Sequence, residues 1–256
     1  MKILTLLTDF GSTDYYVGAV KGTVLRLVPP PYPTLVDLGH DVAPGDVDGG
    51  AFLLAAAVPS FPTGTVHLAV VDPGVGSARR ILVAEKAGSY FVGPDNGLLE
   101  VALEGGRAVA VERQDLFLPS PGSTFHGRDR FAPVAAALLR GAPPEDLGPP
   151  VADPVRLERP APQHLGRLLV GRVIHIDRYG NLVSDLPTAW LAGGPAIARI
   201  AGHEVRHLAA CYADLPAGEP GLIPGSLGTL EVSLRGASLA EHWQIGRGEE
   251  LRVELR

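Results

Sequence analysis

The residues able to do chemistry collect where short apolar runs end. Asp9 closes the first run, with Gly11 and Asp14 just beyond it. Asp72 closes a later one, and Arg79 follows seven residues on. Asp95 and Asn96 lie within Gly93-Pro94-Asp95-Asn96-Gly97, and Thr124-Phe125-His126-Gly127-Arg128-Asp129 opens a helical stretch. Near the end of the chain, Asp177-Arg178-Tyr179-Gly180-Asn181 follows another strand-like run. Taken singly, each of these is an ordinary cap or turn residue. Together, carboxylates gathered at strand ends suit a ligand rich in hydroxyls and positive charge.

Other motifs suggest chemistry and fail on context. Asp9-Phe10-Gly11 is the kinase metal-binding triplet, but a kinase needs a glycine-rich loop and a lysine strand upstream, and only one strand precedes it. His203-Glu204-Val205-Arg206-His207 matches the zinc-protease pattern, which requires both histidines on one helical face. Its flanks read as hairpin strands, where positions i and i+4 stand about 13 Å apart, too far for one ion. Asp46-Val47-Asp48-Gly49-Gly50 lacks the bidentate glutamate of a calcium loop and reads as a helix start with acidic residues at the positive end of its dipole. Asp72-Pro73-Gly74-Val75-Gly76-Ser77 is glycine-rich without the P-loop lysine or dinucleotide spacing, so it is a strand-to-turn loop.

The elements that must position these residues fall into two textures. In the first half, strands are expected over 2–8, 34–38, 65–71, 80–84 and 90–92, and helices over 15–28, 47–58 and 130–140. This alternation predicts an α/β domain over residues 1–155 with a mostly parallel sheet covered on both faces, whose ligands bind beyond the carboxyl ends of the strands. A proline-dense stretch from Pro143 to Pro162 reads as a linker. Short alternating strands at 168–176, 197–200, 204–208, 228–234 and 250–255 then predict a smaller, mainly antiparallel β domain over 163–256.

Composition narrows the classes. The 256 residues are 46% hydrophobic and 20% charged, which excludes wholesale disorder. No apolar run reaches the roughly 18–20 residues of a membrane span, and Asp9 interrupts the N-terminal apolar run too early for a signal peptide. A net charge of −6 is the wrong sign for a general nucleic-acid binder. Cys211 is the single cysteine, which excludes an intrachain disulfide and cysteine-based zinc ribbons. The expectation is a cytoplasmic protein acting on a small molecule, with neither nucleic-acid nor membrane partner. The 32 glycines and 24 prolines imply many tight turns. The excess of arginine over lysine fits heat adaptation or a GC-rich genome equally.

Six stretches in register resemble the S-adenosyl-L-methionine hydroxide adenosyltransferases, relatives of the fluorinating and chlorinating enzymes. They are Thr8-Asp9-Phe10-Gly11 with Asp14 and Tyr16-Val17-Gly18; Val71-Asp72-Pro73-Gly74-Val75-Gly76 with Arg79; Gly93 to Gly97; Thr124 to Asp129; Ile176 to Asn181; and Gly225-Ser226-Leu227-Gly228-Thr229-Leu230-Glu231. The resemblance covers nearly the whole chain. It implies hydrolysis of S-adenosyl-L-methionine to adenosine and L-methionine, with no metal or other cofactor. It also implies a homotrimer whose sites lie between the N-terminal domain of one chain and the C-terminal domain of its neighbour. A halide transferase on the same scaffold, or a non-catalytic module binding S-adenosylmethionine or adenosine, are the alternatives.

By the same resemblance Asp72, Arg79 and His126 are catalytic, and Asp9, Phe10, Asp14, Asp177, Tyr179, Asn181, Ser226, Leu227, Arg235 and Ala237 bind substrate. Asp9 would accept both ribose hydroxyls, Asp14 and Asp177 the methionine ammonium, and Ser226 its carboxylate. Tyr179 would stack on adenine while Asn181 reads its edge, with the backbone around Leu234–Ala237 completing that contact. The leaving thioether departs neutral and needs no acid, so catalysis reduces to holding a nucleophile in line and making it more basic. Arg79 supplies positive charge, and either Asp72 or His126 could take the proton. The fluorinating enzyme has a tyrosine at the place of Asp72 and a serine at that of Gly127. A carboxylate about 4 Å from a halide would cost about 4 kcal/mol at an effective dielectric near 20, which favours hydrolysis. Tyr16 stands where that enzyme has a serine.

Overall fold

A computed structural model describes residues 2–191, 194 and 196–256. The chain divides into two compact units, Met1–Glu158 and Arg159–Arg256.

The first unit is built on strands β1 (Ile3–Thr8), β2 (Thr34–Gly39), β3 (Val66–Val70), β4 (Ile81–Lys86), β5 (Ser89–Pro94) and β6 (Arg107–Ala110), in the order β2-β1-β3-β5-β4-β6. Helices α1 (Tyr16–Leu27), α2 (Val47–Ala57), α3 (Glu100–Leu103) and α4 (Ala132–Leu139) complete it. Strand β1 is buried along its whole length, as a central parallel strand must be. Its alternation splits the core. Leu4 and Leu6 join Leu68 and Val70 in packing with α1 and α4, whereas Leu7, Ala69 and Val71 pack with Leu54 of α2 and Ala102 of α3. Asp46 caps α2 by accepting from the Gly49 N–H at 3.0 Å, the helix start expected in place of a calcium loop.

The sheet is mixed, with five of its six strands running the same way and β4 alone reversed. Pairs β1–β2, β1–β3 and β3–β5 are parallel, but β4 runs antiparallel to both β5 and β6. The cause is the two-residue loop Ala87-Gly88 between β4 and β5, with φ of 50° and 74°. Positive φ at both positions makes a tight hairpin, and no parallel crossover fits in two residues. A consequence for the site is that β4 begins at the edge where β1, β3 and β5 end.

The proline-dense stretch is also not a free linker along its whole length. The Ala110 N–H donates to Pro149 O and the Val151 N–H to Ala108 O, both at 2.9 Å, which adds this segment to the open side of β6. The Val155 N–H donates to Asp95 at 2.8 Å. Prolines suit such a path because an edge segment needs few donors.

The second unit holds β7 (Gln163–Leu165), β8 (Leu168–Ile176), β9 (Leu182–Pro187), β10 (Ala196–Ile200), β11 (His203–Val205), β12 (His207–Leu208), β13 (Pro220–Pro224), β14 (Thr229–Leu234) and β15 (Glu250–Leu255), with helix α5 (Leu239–Trp243). Their order is β11-β10-β15-β8-β9-β14-β13-β12, with β7 on β8, and among the described pairings only β12–β13 is parallel. Strand β11 packs against β13, so the sheet bends toward a barrel. The histidines of the zinc-protease pattern lie on strands β11 and β12: His203 stacks on Trp243, and His207 bonds Glu219 at 2.5 Å. Among the described residues no helix is long and apolar enough to cross a membrane.

One buried titratable group belongs to the fold alone. His67 on β3 is 1% exposed, bonds Thr5 of β1 at 2.8 Å through Nδ1 and stacks on Phe91 of β5. Burial lowers its pKa to about 4. The unfolded chain, with a histidine pKa near 6.5, therefore binds more protons between pH 6.5 and 4, and stability falls as pH drops through that window. Urea unfolding at pH 7 and pH 5 should show a loss of about 2 kcal/mol from this group, and His67→Gln should remove that part of the pH dependence.

Candidate active site

Asp72 follows β3 and Arg79 precedes β4, so both stand at the carboxyl edge of the parallel strands. The loop between them is two successive tight turns. Val75 N–H donates to Asp72 O at 3.2 Å, Ser77 N–H to Gly74 O at 3.1 Å, and the Ser77 hydroxyl to the same carbonyl at 2.7 Å. Gly76 has φ of 83°, where a side chain would be strained. The glycines thus fold seven residues back so that Arg79 meets Asp72. Arg79 Nε donates to Asp72 Oδ1 at 2.6 Å and Nη2 to Oδ2, a bidentate pair with side chains only 10% and 5% exposed. The guanidinium also lies over the Phe131 ring at 5.0 Å.

The second hydrogen on Nη2 reaches His126 Nδ1 at 2.9 Å. Arginine is always protonated and only donates, so Nδ1 must accept and the ring proton belongs on Nε2. Burial, then the charges of Arg130 and Arg79, lower the His126 pKa and keep the ring neutral. Both His126 Nε2 and Arg79 Nη1 are buried without a partner among the described residues. A backbone detail seats this histidine. It caps a π-type turn, Gly127–Phe131, that runs into α4 and is held by Leu118 N–H donating to Asp129 O at 2.9 Å.

A cavity of about 240 Å³ lies beside the cluster, lined by Asp9, Phe10, Tyr15, Tyr16, Asp72 and Phe125 with His126, Gly127 and neighbours. Asp9 is oriented by the Gly45 N–H, which donates to Oδ2 at 2.9 Å and leaves Oδ1 for a ligand. Gly127 lies close against the Phe10 ring, and a Cβ there would stand 3.0 Å from it, so the ring would have to give by a few tenths of an ångström. Asp14 is exposed and does not line this cavity. Asp95 and Asn96 belong to the scaffold. Asp95 binds Arg80 at 2.6 Å, while Asn96 donates to Val71 O at 2.9 Å and accepts from Leu98 N–H at 3.1 Å.

The second unit has its own cavity of about 550 Å³, lined by Tyr179, Asn181, Tyr212, Leu234, Arg235, Gly236, Ala237 and Ser238. Asp177 builds its rim. It accepts from the N–H groups of Tyr179 and Asn181 at 2.9 Å each, and from Asn181 Nδ2 at 2.7 Å. The Asn181 amide is thereby turned so that its oxygen remains as an acceptor. Gly180, at φ 81°, lies against Ser238, where a Cβ would come within 2.1 Å of the hydroxyl. Tyr179 is 77% exposed, its ring free on one side for stacking. Ser226 and Leu227 stand on the exposed β13–β14 turn, outside this lining.

Tyr212 carries no signal in the sequence, and Glu231 closes the last family-like stretch without a role assigned to it. The Tyr212 hydroxyl donates to buried Glu231 at 2.6 Å, and burial followed by this carboxylate raises the phenol pKa. Arg235 donates to Ala213 O at 3.2 Å, bracing the turn that carries Tyr212. Tyr212 lies in an irregular stretch with no periodic signal. Glu231, set between apolar residues of a strand, was the available hint of a buried carboxylate needing a partner.

The fold and these clusters define a two-domain protein: an α/β unit with an Asp–Arg–His cluster at its sheet edge, then a β unit with an aromatic, amide-bearing cavity. Residues 4–148 match the SAM hydroxide adenosyltransferase N-terminal domain model and residues 171–252 the corresponding C-terminal domain model. The chain belongs to this family. It is 39% identical to the (R)-S-adenosyl-L-methionine hydrolase of Salinispora arenicola, over 98% of this chain and 97% of that one. It is also 39% identical to the enzyme of that name from Thermus thermophilus, over 99% and 100%. A fluorinase from Actinoplanes is more distant, 30% identical over 72% and 71%. The crystal structure of a conserved protein from Thermotoga maritima superposes with a TM-score of 0.90 at 31% identity, covering 98% of this chain and 99% of that one.

Proposed function

We propose that the protein hydrolyses S-adenosyl-L-methionine to adenosine and L-methionine by in-line attack of water or hydroxide on ribose C5′. Relatives that match the chain from end to end are named for hydrolysis of the (R)-sulfonium epimer, and that epimer is the proposed substrate. The observation that carries the mechanism is the chain of bonds from Asp72 through Arg79 to His126. It leaves the His126 Nε2 proton and the Arg79 Nη1 protons as buried donors. Such donors stabilise an oxygen nucleophile as it gains negative character and lower the pKa of water. With Nδ1 occupied by Arg79, His126 cannot take the proton there. Asp72 keeps a second lone pair on each oxygen and is the acceptor. As the O–C5′ bond forms, the S–C5′ pair leaves on sulfur and the water proton passes to Asp72.

The remaining residues take the roles that the family resemblance assigns them. Asp9 Oδ1 accepts from the ribose hydroxyls, Phe10 packs beside them, and Tyr179 stacks on adenine. The Asn181 oxygen accepts from the adenine amino group, against Arg235 and Ala237. Asp14, Asp177, Ser226 and Leu227 meet the methionine end. Each cluster alone exposes large aromatic faces, Tyr15 at 65% and Tyr179 at 77%. Such faces suit contact between the first unit of one chain and the second unit of its neighbour, in the homotrimer that the family resemblance implies. No metal is called for, because the leaving group is neutral.

The bidentate Arg79 neutralises Asp72, so the full charge repulsion against a halide expected from the sequence is largely offset. Two buried donors would also suit a halide. Chromatography of products from both sulfonium epimers, with and without chloride or fluoride, separates the readings. Adenosine from the (R) epimer, falling at least about 100-fold in Arg79→Ala, supports hydrolysis. Halogenated adenosine supports transfer, and stable binding without product supports a sensor. The assembly has its own check. Mixing Asp72→Ala with Tyr179→Ala chains through a denature–refold cycle should restore about a quarter of wild-type activity if sites are shared between chains. It should restore none if each site is built within one chain.

A further inference from the structure

One wall of the cavity beside Asp72 and His126 is aromatic, and apart from Phe10 its rings have no part in proton transfer or ribose binding. Phe10, Tyr15, Tyr16 and Phe125 line it together. The rings of Tyr15 and Tyr16 lie 4.8 Å apart, tilted by 37°. Tyr16 stands edge-on to Phe125 at 5.0 Å, and Tyr15 does so at 6.1 Å. Phe10 closes the group at 6.0 Å from both Tyr16 and Phe125. Arg128 already lies over Phe125 at 4.9 Å, so a cation covers part of this group. Tyr15 and Tyr16 keep 65% and 38% of their surface exposed.

A sulfonium is a permanent cation carrying three carbon groups. Like a quaternary ammonium it offers no N–H or O–H to a carboxylate, and clustered aromatic faces are the protein surface that attracts such an ion. The thioether left after reaction is neutral and loses that attraction. Resting on the proposed hydrolase reading, we infer that Tyr16, with Tyr15 and Phe125, forms an aromatic seat for the substrate's sulfonium, making Tyr16 a specificity residue for charged over neutral sulfur. Its hydroxyl plays no part in this. The seat stabilises the ground-state charge, which fades as the S–C5′ bond breaks, so its contribution belongs to KM more than to kcat.

The test compares S-adenosyl-L-methionine with the neutral thioether S-adenosyl-L-homocysteine. Dissociation constants are measured by calorimetry on the full chain in an Asp72→Asn background, which keeps the sulfonium intact. The KM and Ki of the same pair are measured with Asp72 in place. The sulfonium should bind more tightly than the thioether. Tyr16→Leu should shrink that preference about three- to tenfold, and Tyr16→Phe should keep it. An unmoved preference in Tyr16→Leu, or an equal loss in Tyr16→Phe, overturns the aromatic seat. An altered assembly in Tyr16→Leu with the preference intact does the same, assigning the wall to a subunit contact. Failure of the wild-type chain to bind either ligand or to release adenosine instead overturns the hydrolase reading beneath it.

Discussion

The bidentate bond between Asp72 and Arg79 is the constraint on which the chemistry proposed for the first unit depends. An ion pair this buried is no bargain for stability by itself, because desolvation consumes most of the Coulombic gain. Breaking it by removing one partner would leave a buried charge, at about 3–5 kcal/mol. What the pair supplies is direction. With Nε and one hydrogen of Nη2 committed to Asp72, the other Nη2 hydrogen is aimed at His126 Nδ1. The tautomer of the histidine follows from that contact, and so does its role as a donor.

Much of the surrounding fold serves to bring those two residues together. A parallel strand delivers Asp72 to the sheet edge, and an antiparallel neighbour starts there, carrying Arg79 back. Had β4 run parallel, its first residue would lie at the opposite edge. The tight Ala87-Gly88 hairpin at the far end is therefore linked to the site geometry, although it lies a whole strand length away. The second unit uses a comparable economy. Asp177 spends three acceptor contacts on one turn, which fixes the Asn181 amide and sets Tyr179 outward.

The sequence carried the first five strands and the long helices of the first unit, because strand–helix alternation is a local signal, but it passed over β6, β7, β9 and β13, which lack a clear alternating run of their own. It did not single out β4 as the reversed strand, since an isolated apolar run has no polarity and only the two-residue turn decides it. It read the stretch after Pro143 as a linker because proline density looks alike in a free tether and in an edge segment pinned through its carbonyls. Asp95 and Asn96 looked as chemical as Asp72, and only long-range bonds to Arg80, Val155 and Val71 separate scaffold from site. Tyr212 had no local signal, being placed by a carboxylate nineteen residues away in sequence.

The choice of proton acceptor rests on the same long-range contact. Sequence leaves Asp72 and His126 equivalent as candidate bases. In the proposed mechanism Arg79 distinguishes them, because it occupies Nδ1 of one and only a single lone pair on each oxygen of the other. The most direct measurement is nitrogen-15 NMR of His126 in the full chain at pH 7. The account predicts a neutral ring with its hydrogen on Nε2 and an unprotonated, hydrogen-bonded Nδ1. A hydrogen on Nδ1, or a doubly protonated ring, would contradict it.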